Sequence, residues 1–526
     1  MTIVSLTFVL LVAVTSLLYF IVPKKVQWVV LLIGSYVFFF ANSEWLLLVH
    51  VATSLFTFLM ARWIHAVNQK GKDALKARAD LTPADKKALK EKTKRSARRV
   101  LTLATVVVLG VLLFLKYFNF FASSTNQLLP FLKLPQLKLL LPLGISFYTL
   151  QAVAYLMDVY RGKYEPDTNP FKFMLFMSFF PQIVQGPIAR HNHLANQLYA
   201  EHSFDSTRCV KGIQLMAWGW FKKMVIADRV AVAVNEIFGN SGEYGGWMIL
   251  LAAVGYGLQV YGDFSGGMDV ARGVSQIFGI DLELNFRQPY FARSIEEFWR
   301  RWHITLGGWM RDYVFYPLSL SKVFGRMGKA TMKVFGKYVG KRIPAFLAMF
   351  IVYFLVGFWH GADMKYIVYG VWNGLFIVAG ILLEDTYKKV RTTAHIDDLS
   401  WPFNAFRMIR TFCLCSIGRL FSRADSLDIA WSMLGNLFGK TTMPVLEEAA
   451  PFLGLSTGNW WVLLAAVIIL LVVDVLHERN VQIRDLILKQ NVVIRFAIYY
   501  AVIIILLVFG MYGPGYDSAS FIYEQF

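Results

Sequence analysis

Apolar runs of about 20 residues, the length a hydrocarbon core of about 30 Å demands of a spanning helix, recur from one end of this chain to the other. Three open it, near residues 4–22, 26–41 and 45–63. Others follow near 100–121, 139–160, 211–238, 246–264, 343–360, 366–383, 403–420, 460–475 and 494–511. Counting runs gives roughly ten to twelve spans. The pattern predicts an all-α polytopic membrane protein. The stretch 171–189 is apolar but interrupted by Pro181 and Pro187. It reads as a re-entrant or interfacial segment, tolerable at membrane depth only if protein covers its backbone. The first run has no basic residue before it and no small-residue cleavage site after it, so it reads as a retained span rather than a signal peptide.

One polar interruption dominates. Between Asn285 and Asp312 the residues Arg287, Arg293, Glu296, Glu297, Arg300, Arg301, Arg311 and Asp312 crowd together around His303 and Trp299, Trp302 and Trp309. Charge this dense among apolar spans must be paired or face a wet cavity. Glu296–Arg300 and Glu297–Arg301 are (i, i+4) pairs with the acid on the favoured side, which predicts a helix. That helix would place Trp299 and His303 on one stripe. The blander reading is an amphipathic helix at the headgroups, its tryptophans at the interface.

Charge then sets orientation. The net charge is +19, and lysine and arginine concentrate in loops that face anionic cytoplasmic lipid. Lys24 and Lys25 follow the first run, none lies in the 42–44 turn, and the third run leads into a basic stretch from Lys70 to Arg99. These agree on an N-terminus outside the cell membrane and a cytosolic 68–99 loop. Within that loop Thr82, Pro83 and Asp85 read as N-cap, N1 and N3 of a lipid-hugging helix. Lys322, Arg326, Lys329, Lys333, Lys337 and Lys341 predict a second basic amphipathic helix on the cytosolic surface. Nothing reads as a nucleic-acid fold. Cys209, Cys413 and Cys415 offer no disulfide framework and read as packing residues.

The chemistry that can be picked out is sparse. His360 follows Trp359 and precedes Gly361 and Asp363, about 25 Å along an apolar helix from Ile343 if that helix is straight. A buried histidine that only satisfies a carbonyl is its bland alternative. Asp263 and Asp269 lie near membrane depth in QVYGDFSGGMDVARG, where an intramembrane carboxylate is a functional hypothesis and a helix-pairing salt bridge its equal. His191 and His193 lack a third metal ligand, and no metal is expected there. The sequence contains no evident repeat, phosphate-cradling glycine loop or nucleophile elbow.

Taken together, LPLGISFY, DVYRG, FFPQIVQGPIAR, FKKMVIADR, VYGDFSGGMDVARG, NFRQPYFARSIEEFWRRWHITLGGWMRDY and VGFWHGA resemble the membrane-bound O-acyltransferase family. The resemblance is narrower still to its bacterial branch of alginate and peptidoglycan O-acetylation proteins and the teichoic-acid D-alanylation protein. It covers about Leu141 to Leu375, and RLFSRADSLDIAWSMLGNLFG resembles the alginate-acetylase type. The family's fold implies a ring of tilted helices around a central funnel and tunnel. It would form a single domain over 1–526, with N-terminal spans 1–65, a basic loop 66–99, a catalytic core 139–385 and C-terminal spans 400–526. By motif, His360 corresponds to the principal catalytic histidine and His303 to the second conserved polar position. Trp299, Trp302, Trp359, Arg300, Arg301, Asp263 and Asp312 become candidates for the substrate tunnel. Two departures stand out: SLSKVFGR after YPL, where relatives often have a Gly-Asn-Arg turn, and WNG (Trp372–Gly374) where Trp-His-Gly is common.

The resemblance implies acyl transfer from a cytosolic thioester, acetyl-CoA foremost, to hydroxyls of a cell-surface polysaccharide or an exported carrier. No permanently bound cofactor is expected, and an extracytoplasmic protein is expected to complete the transfer. Histidine suits the base because its pKa lies near working pH. His360 would deprotonate the acceptor hydroxyl while His303 orients a reactant or stabilises developing charge; an acyl-histidine at His360 is the other route. The competitors are D-alanyl transfer to teichoic acid from a carrier-protein thioester, a transporter or flippase, and a structural scaffold.

Overall fold

The computed structural model describes residues 1–77, 81–183, 185–439 and 450–512. Arg78 of the basic loop, Val184 of the proline-broken stretch and the end of the C-terminal range lie outside them. Helices dominate, and no strand occurs among the described residues beyond one isolated bridge between Phe286 and Trp302. The contacts group into two compact units, residues 1–212 with 274–283, and 213–273 with 284–526.

In the first unit, Leu6–Ile21, Gln27–Ser43, Leu47–Ala77 and Pro83–Leu112 are helices. Phe8, Phe38 and Phe180 pack ring to ring at 5.8–6.2 Å in its core. Thr82 caps the fourth helix by accepting from the Asp85 amide, with proline in its first turn, as predicted. The basic segment is not a separate surface helix, however. Its residues extend two helices of 31 and 30 residues, each about 45 Å long at 1.5 Å per residue. Helices so much longer than the hydrocarbon core leave their charged ends in water. Where they meet, a Cβ on Gly71 would lie 2.4 Å from the Thr93 side chain, so the two helices pass closely there.

The proline-broken stretch forms two short helices, Pro170–Ser178 and Phe180–Ile183. Neither is long enough to cross, and Phe173 to Ile183 are buried, as non-spanning backbone at membrane depth requires. His191 pairs with Asp167 at 2.7 Å between the rings of Tyr155, Tyr164 and Phe176.

The second unit contains Trp247–Ile277 as far as Gly273, and Lys322–His360, Met364–Leu382, Trp401–Arg423, Leu427–Asn436, Thr457–Glu478 and Val492–Phe509. The basic stripe does not ride on one straight helix. Gly336 turns away with φ 75° and ψ 169°, a conformation only glycine adopts without strain. Across it, the Thr331 hydroxyl donates to the Gly340 carbonyl at 2.6 Å.

Six helical segments among the described residues are long and apolar enough to cross a membrane, fewer than the ten to twelve apolar runs. The 31-residue Trp247–Ile277 helix is not among them. It carries Gln259, Asp263, Ser265, Asp269, Arg272, Ser275 and Gln276 among its apolar residues. A helix whose polar side chains are satisfied by protein neighbours needs less hydropathy than one facing lipid.

Candidate active site

Ser294 starts the central motif by accepting from the Glu297 amide at 3.1 Å. The helix it caps, Ile295–Arg301, has Glu296 and Glu297 in its first turn and Arg300 and Arg301 in its last, each sign at the dipole end that favours it. Both predicted ion pairs form, Arg300–Glu296 at 3.5 Å and Arg301–Glu297 at 2.9 Å. They serve different ends. Arg300 is largely exposed, while Arg301 also holds Glu478 with two hydrogen bonds of 2.8 and 3.0 Å. Arg301 therefore ties the motif to the Thr457–Glu478 helix rather than lining a path.

The helix stops at Arg301, so Trp299 and His303 do not share a stripe. Trp302 is extended, and His303 adopts φ 46° and ψ 51°, capping a second short helix, Ile304–Met310. A left-handed histidine persists only where its surroundings impose it. Here Asn285 does so: its carbonyl accepts from the Ile304 amide, and its buried side chain accepts from both the amide and hydroxyl of Thr305. The Arg287 amide donates to the Arg301 carbonyl from the other side. A strand-like clip, not helical periodicity, thus sets the ring of His303.

That ring is fully buried, with Phe264 at 4.9 Å and Trp359 at 5.8 Å. Burial, and secondarily the nearby His360, push its pKa well below the usual histidine range, so His303 is neutral. His360 ends the Lys322–His360 helix, nearly buried, in edge contact with Trp359 at 5.2 Å and Tyr369 at 6.0 Å. Its Nδ1 lies 2.6 Å from the Val356 carbonyl. A carbonyl only accepts, so Nδ1 carries the proton and the lone pair of the neutral ring falls on Nε2.

The two histidines share the Trp359 ring between them. Trp299 joins the cluster through Tyr353 and Tyr369, its indole donating to Asn373 at 3.1 Å. Asn373 in turn donates to the Tyr369 carbonyl. The WNG departure thus has a structural use, since its asparagine fixes Trp299. Asp263 bonds Lys223 at 2.5 Å, and Lys223 bonds Asp228 at 2.8 Å, all three buried; this is a helix-pairing network. Asp312 pairs with Arg311 at the half-exposed rim. The structure gathers Trp299, Trp302, His303, Trp359 and His360, and leaves Arg300, Arg301, Asp263 and Asp312 in pairing roles around them. Asn285, Phe264, Tyr369 and Asn373 carried no sequence signal of their own beyond the WNG departure.

Residues 165–422 match the membrane-bound O-acyltransferase family. A peptidoglycan O-acetyltransferase of Helicobacter pylori is 30% identical over 386 residues, covering 68% of both chains. This chain belongs to the membrane-bound O-acyltransferase family. A protein named probable alginate O-acetylase in Pseudomonas aeruginosa is 32% identical over 69% of this chain, spanning 65% of its own length. A teichoic acid D-alanyltransferase of Bacillus subtilis is 28% identical over 51% of this chain and 67% of its own. The chain thus spans just under two thirds of that alginate O-acetylase, and the motif cluster of this family member lies wholly within the matched region.

Proposed function

We propose that this protein transfers an acetyl group from a cytosolic thioester, acetyl-CoA foremost, to a hydroxyl of a polysaccharide or exported carrier. His360 is the general base and His303 the neutral group that orients a reactant or stabilises charge on the thioester carbonyl. The observation that carries this reading is the Nδ1–Val356 hydrogen bond, which commits the lone pair of His360 to Nε2. Nε2 takes the acceptor proton, the hydroxyl oxygen attacks the carbonyl, and the thiolate leaves with the proton returned to it. The names of the relatives favour acetyl over D-alanyl transfer, since the acetylation proteins match more of this chain at higher identity.

Transfer to a large external polymer calls for a separate extracytoplasmic protein to complete it. The test is the purified protein in vesicles, supplied in parallel with labelled acetyl-CoA and with a D-alanyl carrier-protein thioester. Acetyl turnover that depends on His360 is expected. Solute or lipid flux without turnover of either thioester would instead establish a transporter. Full-rate modification of mature polymer by this protein alone would remove the need for a partner.

A further inference from the structure

Arg419, the first residue of the RLFSRADSLDIAWSMLGNLFG segment, is only 3% exposed. It lies on the Trp401–Arg423 helix with its guanidinium carbon 5.0 Å from the centre of Trp302, 5.4 Å from Phe298 and 5.5 Å from Tyr290. Those rings are nearly parallel, 19° apart for Phe298 and Trp302 and 15° for Tyr290 and Phe298. Among the described residues no carboxylate pairs with Arg419. Its Nη1 lies close to Gly257, where a Cβ would stand 3.0 Å from it. The Tyr290 hydroxyl donates to the Gly257 carbonyl, locking the same ring stack to the helix that carries Phe264.

A charge withdrawn from water and met by aromatic faces and the Tyr290 hydroxyl rather than by a carboxylate is a poor stabiliser, and an apolar side chain of similar size often serves packing better. A buried charge kept on those terms is better explained by the geometry it specifies than by the stability it adds. All three rings that hold this guanidinium belong to the central motif. The last of them, Trp302, is joined through the backbone to the left-handed His303.

We propose that Arg419 is a positioning residue of the site, holding the Trp302 face so that the chain enters the His303 turn in its working orientation. This rests on the acyl-transfer reading of the histidines. A planar guanidinium stacks on a ring where an ammonium does not, so Arg419→Lys retains part of the effect and Arg419→Met none.

The experiment is a double-mutant cycle between Arg419→Met and His303→Gln, read as acyl turnover per folded molecule with donor KM measured alongside. Arg419→Met is expected to lower kcat about 10- to 100-fold, the scale of an ångström-level misplacement, and to leave KM within about twofold. Because both changes act on one orientation, the double variant should be no slower than the worse single one. Arg419→Lys should lie between wild type and Arg419→Met. Full turnover in Arg419→Met, or losses that multiply in the double variant, would overturn the proposal. If Arg419→Met does not accumulate as folded protein, Arg419→Lys takes its place in the same cycle. A wild type without acyl transfer would overturn the acyltransferase reading and this inference with it, whereas an active wild type beside independent losses overturns Arg419 alone.

Discussion

His360 and His303 occupy opposite kinds of backbone. His360 closes a long helix and bonds its own preceding turn; His303 sits in a left-handed turn between two short helices, held by Asn285. The first arrangement selects a tautomer and the second selects an orientation. His360→Gln keeps size and polarity but cannot take a proton at working pH. Turnover per folded molecule should fall about 100- to 10,000-fold, as loss of a general base does, with expression and thermal stability near wild type. His303→Gln should lose less, because an amide keeps one hydrogen bond. An acetyl-transfer assay normalised to folded protein checks both, and a His360→Gln protein within a factor of ten of wild type would remove His360 from the chemistry.

At the scale of elements, what carries His360 to the cluster is the close crossing of Lys322–His360 with Met364–Leu382. A Cβ on Gly357 would lie 2.3 Å from the Tyr366 carbonyl oxygen, and one on Gly370 would lie 2.3 Å from that of Tyr353. Backbones that approach this closely exclude any larger residue. Gly357→Val should therefore splay the hairpin, cost about 1–3 kcal/mol and reduce turnover by displacing His360. Gly380, on the same second helix, has open space beside it, so Gly380→Ala should leave both properties unchanged. Thermal melting in detergent with a parallel turnover assay separates them. Equal behaviour of the two variants would contradict the close packing.

The orientation of the whole molecule follows from its charge distribution. We propose that the N-terminus is outside the cytoplasmic membrane and that the charged ends of the Leu47–Ala77 and Pro83–Leu112 helices are cytosolic, with the Lys322–Lys341 stripe on the same side. Cysteines introduced as Lys90→Cys and Lys333→Cys should react with an impermeant maleimide only after the cytosolic face is opened. Labelling of either from outside in intact cells would reverse the topology.

Much of this was legible in the chain itself because the bilayer is a demanding solvent. It requires long apolar helices, and it makes every charge inside them conspicuous. For that reason the helical class, the capping at Thr82, the Glu297–Arg301 pair and the two motif histidines could be read from the chain. The side on which each group faces could not. His303 was assigned to a helical stripe because (i, i+4) pairing runs up to it, and only the backbone clip from Asn285, distant in sequence, breaks that helix at Arg301. Arg301 and Asp263 are tunnel candidates through the family resemblance, although the chain itself also offers Arg301 the Glu297 pair and Asp263 a helix-pairing salt bridge. Glu478 and Lys223, brought in from other helices, turn them into struts. Periodicity and composition are local quantities fixed by the solvent around each segment. Which neighbour satisfies a buried polar group depends on the chain's return from far away, and the tertiary structure alone decides it.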